Sequence, residues 1–134
     1  MLLQGTDAIL VVLLQNTGLP ADTTLVNYQS LGAMLAVANE ATFSNYSRVA
    51  LSSSAITISR NTGSSPTTVT ASFTAQTWAS AGGAVNNTIS KVALVYQPTT
   101  GTADSGCLVL ATLDYSGTTT GGAFVVTLGT LSDG

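Results

Sequence analysis

Short segments of β-type pattern, each bounded by turn residues, constrain the fold of this 134-residue chain more than any other feature. The clearest is residues 67–77, where Val69, Ala71, Phe73 and Ala75 alternate with hydroxyl and amide side chains. Six or seven such segments occur, without the alternating long helices that a parallel sheet requires. The pattern predicts an all-β fold, either an antiparallel β-sandwich or a small β-barrel.

The remaining segments fit this scheme with one exception. Further strands are predicted at 7–15, 48–51, 55–59, 88–96, 106–115 and 123–128, with loops at 16–22 and 61–66. The exception is one short helix near residues 30–39, with Ser30 as a candidate N-cap. Behind Ser30, four apolar residues follow at i, i+3, i+4 and i+7 spacing: Leu31, Met34, Leu35 and Ala38.

The segment 7–15 is continuously apolar instead of alternating, which is typical of a strand covered on both faces. Two arrangements satisfy this requirement: a central strand of the sandwich, or an arm covered by a neighbouring subunit. The length favours a single β-rich domain over residues 1–134, with 1–15 as a possible N-terminal arm or assembly strand. In the second arrangement Ile9, Val11 and Leu13 are candidate interaction residues.

The same segment does not indicate a membrane or export signal. Its apolar run covers seven residues, whereas a membrane span needs about 20. Asp7 precedes the run where a signal peptide would carry basic residues. We therefore expect no membrane partner.

Only nine residues carry a formal charge and none is histidine, so the chain lacks the commonest general base and metal ligand. Of the six carboxylates, Asp104 and Asp114 are the one pair imaginable as facing acids, but sequence alone does not bring them together. The solitary Cys107 stands beside apolar residues and is predicted to be buried. We expect no enzyme activity, no metal and no cofactor.

The basic residues exclude another class of function. Arg48, Arg60 and Lys91 are scattered, whereas binding to nucleic acid requires clustered positive charge. Polarity comes instead from 22 Thr and 15 Ser, which suit β faces that form hydrogen bonds without charge. This balance favours a subunit that contacts other proteins.

Aromatic residues supply the other candidate contacts. Phe43, Tyr46 and Arg48 lie close together in a segment without helical pattern, and Trp78 is the single tryptophan. Tyrosine, tryptophan and arginine are enriched at the energetic centres of protein interfaces. A packing corner inside the fold explains the same residues equally well.

Four segments resemble the sequences of small virion structural proteins of tailed bacteriophages. They are Glu40-Ala-Thr-Phe43-Ser-Asn-Tyr46-Ser-Arg48-Val49, the Trp78, Gly82-Gly83 and Asn86-Asn87 stretch within 76–89, Lys91 to Tyr96, and Leu110 to Tyr115. The likeness extends over roughly residues 31–128.

The resemblance implies a capsid decoration (cement) protein that binds and stabilises the lattice of the major capsid protein. Such a protein would be produced in the bacterial host cytoplasm and reside on the virion, at the capsid surface. Its partners would be the major capsid protein or other virion proteins, and it would form a homo-oligomer, by analogy a trimer. The alternative is a tail, neck or fibre component, including a module that binds the host surface.

Overall fold

The computed structural model describes residues 5–63 and 68–133. Within them the chain forms nine strands and two short α-helices, besides 3-10 turns at Ser53–Ala55 and Asp104–Gly106. In chain order the strands and α-helices are β1 (Ala8–Gln15), α1 (Asp22–Leu25), α2 (Leu31–Leu35), β2 (Val49–Leu51), β3 (Ile56–Asn61), β4 (Thr68–Phe73), β5 (Gln76–Trp78), β6 (Thr88–Gln97), β7 (Leu108–Thr118), β8 (Phe124–Val126) and β9 (Thr130–Asp133).

The strands form three sheets, and every pairing between them is antiparallel. The largest sheet has the order β2-β1-β6-β7, the second β3-β4-β9, and the third pairs β5 with β8. The predicted all-β class is confirmed. Nine strands occur in place of the predicted six or seven, because the segment 67–77 forms two strands and β9 carries too few residues to show an alternating pattern.

The position of β1 inside the four-stranded sheet explains why residues 7–15 are continuously apolar. β1 lies between β2 and β6 of the same chain, and its side chains alternate between two cores. Ile9, Val11 and Leu13 face the smaller sheets and are at most 1% exposed. The covering predicted for residues 7–15 is therefore supplied largely within the subunit, in place of an arm along Ala8–Gln15. Residues 1–4 of the predicted arm 1–15 lie outside the described residues.

The two cores lie on opposite faces of the four-stranded sheet. The sheet-side core packs that sheet against residues of the other two sheets, among them Trp78, Phe124 and Val126. The helix-side core packs its other face against α1, α2 and the turn before β7, including Leu25, Met34 and Cys107. The four-stranded sheet and the two smaller sheets therefore form a β-sandwich, and the two helices cover the other face of the four-stranded sheet.

Helix α2 matches its sequence signal at the start and ends earlier than predicted. The Ser30 hydroxyl accepts a hydrogen bond from the Ala33 N–H at 3.2 Å, as an N-cap does. Regular helix ends at Leu35, although the Ala38 N–H still donates to the Met34 carbonyl. The helix α1 was not predicted, because its four residues bury only Leu25 and show no periodicity.

The alternating segment 67–77 is divided between two sheets, and its interpretation as one strand was wrong. At its middle, the Phe73 N–H donates to the Gly129 carbonyl and the Thr74 N–H to the Ala55 carbonyl. These bonds turn the chain from β4 into β5. In the part of the chain that the structure describes, no helix is long and apolar enough to cross a membrane.

Candidate functional site

The segment that follows α2 closes the outer edge of β1. Glu40 forms a bridge with Leu14, and the edge is then open until β2 begins at Val49. The Tyr46 hydroxyl fills this interval, because it accepts a hydrogen bond from the Leu13 N–H at 3.2 Å and donates to Glu40 Oε1 at 2.9 Å. Burial, followed by the charge of Glu40, raises the pKa of Tyr46 above its ordinary value.

Tyr46 also belongs to an aromatic cluster. Its ring centroid lies 5.1 Å from that of Phe43 in an edge-on contact and 6.5 Å from that of Trp78 in a stacked one. Phe124 lies 6.2 Å from Phe43, and the Trp78 indole N–H donates to the Ser47 carbonyl at 2.8 Å. These distances and tilts are those of stabilising aromatic pairs, so the cluster fixes the corner between β1 and β5.

Arg48 is held by two carboxylates, and we call Glu40, Arg48 and Asp104 the Arg48 cluster. Its Nε and Nη2 atoms each lie 2.7 Å from an oxygen of Glu40. Its Nη1 and Nη2 atoms lie 2.6 and 3.0 Å from the two oxygens of Asp104. The hydrogen bonds from Arg48 lower the pKa of Asp104, against the opposing effect of burial. The cluster joins β2 to the turn before β7.

A second ion cluster joins α1 to the four-stranded sheet, and we call Asp22, Lys91 and Asp114 the Lys91 cluster. Lys91 Nζ lies 2.6 Å from Asp22 Oδ1 and also contacts Asp114 Oδ1, while its side chain is 7% exposed. Burial alone would lower the pKa of Lys91, but the hydrogen bonds and charges of Asp114 and Asp22 outweigh it and raise the pKa.

These two clusters contain six of the nine charged residues of the chain. Of the other three, Asp7 accepts a hydrogen bond from the Tyr96 hydroxyl at 3.2 Å. Arg60 lies exposed on β3, and no ion pair involves it within residues 5–63 and 68–133. The side chain of Asp133 lies outside the description. The surface is consequently supplied mainly by neutral groups.

Three loops meet at the end of the molecule beside the aromatic cluster: residues 42–46, 80–87 and 119–122. We call this region the loop junction. The Gly82 N–H donates to the Ser44 carbonyl at 2.9 Å. The buried Asn87 accepts from the Thr42 N–H at 2.6 Å through Oδ1 and donates from its backbone to the Thr119 hydroxyl at 3.0 Å. Segments distant in sequence therefore form one hydrogen-bonded unit.

The residues considered for catalysis lie apart from one another, and each takes part in a structural contact. Asp104 is bound to Arg48 and Asp114 to Lys91. Cys107 is 1% exposed, which confirms its predicted burial, and that burial raises the pKa of its thiol. Within the described residues, no group of three or more Cys, Asp or Glu side chains could hold a metal ion.

The structure brings the seven residues predicted for interaction into one neighbourhood, around the sheet-side core. Five of them are at most 5% exposed: Ile9, Val11, Leu13, Phe43 and Trp78. Tyr46 and Arg48 are half-buried, and both are engaged in hydrogen bonds within the chain. The packing corner that the sequence left as an alternative describes the aromatic residues and Arg48 best.

A different surface remains apolar and uncovered. One face of the β3-β4-β9 sheet begins under the core with Ile56 and Phe73 and continues outward through Ile58 and Val69, which are 39% and 42% exposed. We call the outer part, Ile58, Val69 and Ala71 with Arg60 beside them, the outer sheet face. Sequence reasoning missed it, although the alternation in 67–77 was its signal.

The opposite face of the same sheet carries only hydroxyl and amide side chains among those that the structure describes. They are Thr57, Ser59, Asn61, Thr70, Ser72 and Thr130. A sheet with one apolar and one polar face is expected to have its apolar face covered. In the single subunit this cover extends over only part of the sheet.

A cleft of about 170 Å³ lies elsewhere on the molecule, between α1 and β7. The residues that line it are mostly apolar in type, but polar atoms supply about half of the exposed lining: Leu25, Val26, Tyr28, Met34, Val109, Leu110, Ala111 and Thr112. Val26 is 74% exposed at its entrance, and Leu110 is exposed through a bulge in β7. Asp22 and Asp114, on the same two elements, place the carboxylates of the Lys91 cluster beside this α1/β7 cleft.

No family model, curated protein or solved structure matches this chain.

Proposed function

We propose that this chain is a bacteriophage virion structural protein, specifically a capsid decoration protein that binds and stabilises the lattice of the major capsid protein. The observation that carries the proposal is the placement of charge. Six of the nine charged side chains are paired within the Arg48 and Lys91 clusters, where four carboxylates surround two cations, so few isolated charges stand among the hydroxyl, amide and apolar groups of the surface.

A surface with so few charged groups suits permanent assembly better than free solution. Soluble domains have about a quarter of their residues charged, which keeps them apart from one another. The centres of protein interfaces are instead depleted of charge, and contiguous exposed apolar patches mark interaction sites. The outer sheet face and the entrance of the α1/β7 cleft each expose large apolar side chains, Ile58 and Val69 on the first and Val26 and Leu110 on the second.

The residues that carry the phage resemblance form a connected part of the structure. Tyr46 from the first segment stacks on Trp78 from the second, and Ser44 accepts a hydrogen bond from Gly82. The first two segments thus meet in the loop junction and aromatic cluster, and the other two are the adjacent strands β6 and β7. This supports treating the resemblance as a likeness of fold-determining residues.

The aromatic residues favour decoration over the alternative of a host-surface-binding module. Such a module is expected to expose aromatic side chains at a loop end, where they stack on sugar rings. All eight aromatic side chains of this chain are buried or half-buried. A neck or tail position for a purely structural subunit remains the second candidate.

Gold-labelled antibodies against the chain, applied to virions of the phage that encodes it, test the proposal in negative-stain images. Decoration predicts label distributed over the capsid surface. Label confined to the neck, tail or fibres would replace decoration by the second candidate. Purified particles that contain none of the protein would overturn both assignments.

A binding experiment supplies the second test. The purified protein is mixed with capsids that lack it, and the particles are sedimented and heated. Decoration predicts saturable co-sedimentation and a higher capsid melting temperature, because a ligand that binds only the intact lattice stabilises it. Capsids that bind nothing, in parallel with protein that is correctly folded, would contradict the proposal.

A further inference from the structure

We propose that copies of this chain exchange their last described strand, so that β9 of one subunit pairs with β4 of a neighbouring subunit. The inference deepens the proposed function, on which it rests for its place in the virion, because it identifies a direct connection between neighbouring copies. It is carried by the position of β9, which follows a single exposed hinge residue and is held to its own subunit by few buried contacts.

The strand β9 contributes little to the body of its own subunit. It lies at the edge of its sheet and pairs with β4 over four positions, from Val69 with Asp133 to Ser72 with Thr130. Among the side chains of β9 that the structure describes, only Leu131 packs against a core, and it is half-buried. Detaching β9 therefore breaks few buried contacts, and segments of this kind open locally at low free energy.

The connection to β9 has one hinge position. Leu128 is anchored in the sheet-side core at 2% exposure, and β9 begins two residues later at Thr130. Between them Gly129 is exposed and has a φ of 67°, and no described atom lies within 4 Å of a Cβ built on it. A change of backbone angles at Gly129 redirects β9 without moving Leu128, and it gives up the 3.3 Å hydrogen bond from the Phe73 N–H to the Gly129 carbonyl.

The edge of β4 selects the segment that replaces β9. Because β4 is the central strand of its sheet, loss of β9 leaves main-chain groups of Val69 to Ser72 unpaired and removes Leu131 from beside Ala71. A free edge of this kind binds an extended segment through main-chain hydrogen bonds. Residues 130–133 of another copy match it in length and register, because the same residues form this pairing within the subunit. The occupant is therefore a second copy of this chain.

Exchange conserves the contacts of the closed subunit. Each β4 still pairs with a β9, and each sheet-side core still receives a Leu131, so the balance depends on the hinge and on the concentration of neighbouring copies. Subunits fixed side by side in an assembly have a high effective concentration, which favours such a contact. Reciprocal exchange produces a dimer, and exchange in one rotational sense closes a ring such as a trimer.

Disulfide formation between two differently substituted chains tests the exchange directly. The Ser72 hydroxyl lies 3.5 Å from that of Thr130 on the polar face of the sheet. The full chain carrying Ser72→Cys is mixed with the full chain carrying Thr130→Cys at about 1 mM, incubated, and oxidised. These two cysteines meet in one stable contact only where β9 of one chain lies on β4 of the other. Cys107 is 1% exposed and is protected from the reaction.

A mixture of Ser72→Cys with Thr57→Cys is the matched control. Thr57 pairs with Ser72 from the other side, on β3, and exchange of β9 leaves β3 and β4 in the same subunit. Non-reducing electrophoresis and mass spectrometry should show a cross-linked heterodimer in the first mixture and only background in the control. Circular dichroism and thermal unfolding verify that each variant is folded. No cross-link above background in the first mixture, or equal yields in both, would overturn the inference.

The hinge supplies a second test with its own control. Gly129→Val disfavours the left-handed backbone of the closed turn, so sedimentation velocity should show an exchange equilibrium constant raised by at least about tenfold. Gly101→Val makes the same change at another exposed glycine, with a φ of 84° and open surroundings, and should leave this constant unchanged. An equal response of the two variants, or none at Gly129, would also overturn the inference.

The capsid-labelling result is independent of these outcomes. Label on the capsid without cross-linking leaves the proposed function standing and removes the exchange. Cross-linking by a protein that is absent from virions leaves the exchange and removes the proposed function.

Discussion

Arg48 has its guanidinium shared between two carboxylates, so its removal should be costly. Replacement by Met in Arg48→Met would leave Glu40 and Asp104, which are 22% and 38% exposed, without their cation. Bidentate charge-assisted bonds in such half-buried sites exceed ordinary surface pairs. We expect the free energy of unfolding to fall by about 2 kcal/mol, measured by urea unfolding with an unchanged m-value.

Arg60→Met is the matched control for this change. It removes the same functional group from an exposed position where no ion pair occurs within the described residues. Its effect on the unfolding free energy should remain within about 0.5 kcal/mol. Equal losses for the two variants would show that Arg48 contributes no more than any surface arginine.

Asp104 makes the stability of the fold depend on pH in the acidic range. Its pKa in the folded state is below the ordinary 3.8, because Arg48 donates hydrogen bonds to the ionised form. A carboxyl group of this kind stabilises the fold above pH 3.8 and loses that contribution as the pH falls through the folded pKa. Asp104→Asn should therefore be less stable at neutral pH and show a flatter decline below pH 4.

Urea midpoints measured from pH 7 to pH 2 follow this contribution. A variant whose pH profile runs parallel to that of the wild type would show that Asp104 titrates at its ordinary pKa. Asn preserves the shape of the side chain, so packing changes little between the two proteins.

The roles of single residues could be predicted from the sequence where their immediate neighbours determine them. The Ser30 cap and the burial of Cys107 follow from their immediate neighbours, and both predictions are confirmed. The sequence could not predict the partners of Arg48, because Asp104 lies 56 residues away and the position of its turn depends on the whole sheet. Ion clusters of this type have no local pattern.

The loop junction depends on the backbone of Gly82. Its φ is 92°, and an added Cβ would lie 2.1 Å from Asn86 Oδ1 and 2.9 Å from the Thr119 hydroxyl. Gly82→Ala combines backbone strain with a clash of the new Cβ against these two side chains and should lower the unfolding free energy by about 2–3 kcal/mol. Thermal unfolding monitored by Trp78 fluorescence would report the change at the neighbouring aromatic cluster.

Gly122→Ala is the control for this substitution in the same junction. Nothing lies within 4 Å of a Cβ at Gly122, whose φ is outside the left-handed region. This variant should be as stable as the wild type or slightly more stable, because alanine restricts the unfolded chain. If both variants unfold alike, the close approach at Gly82 has no energetic consequence.

Helix α1 is attached to the sheet by Leu25 and the Lys91 cluster. In Lys91→Met an apolar side chain replaces a buried ammonium, and the exposed Asp22 and Asp114 return to water. Global stability should change by less than about 1 kcal/mol, because a buried ion replaced by an apolar group is often neutral. Amide exchange in α1 should nevertheless become roughly fivefold faster, since the helix loses its attachment.

Exchange in β1 serves as the internal reference for this variant. An unchanged exchange rate in α1 would mean that Leu25 alone holds the helix. A parallel increase in β1 would instead indicate loss of global stability.

At the level of elements, the sequence patterns predicted where strands occur but not which sheet each strand belongs to. The apolar run in β1 required cover on both faces, and the sequence left open whether a neighbour or the chain itself provides it. The structure supplies it from α1, α2 and the smaller sheets. Conversely, the regular alternation of 67–77 concealed the turn at Thr74, because a change of sheet leaves the side-chain period intact.

The whole molecule is unevenly stabilised. The four-stranded sheet has a core on each face, whereas the side chains described for the β3-β4-β9 sheet contribute only Ile56, Phe73 and Leu131 to the sheet-side core, besides Ala55 just before β3. The outer half of that sheet is exposed on both faces. A body with one firmly buried sheet and one partly covered sheet is suited to complete its packing in an assembly.

Amide hydrogen exchange on the free and the virion-bound protein tests this division. In the free protein, β3 and β4 should exchange much faster than β1 and β6, because opening them breaks few buried contacts. Incorporation into the virion should slow exchange in β3 and β4 most, since cover for Ile58 and Val69 makes the same opening costlier. Equal exchange in all strands of the free protein, or no added protection of β3 in the particle, would mean that the outer sheet face is stable without a partner.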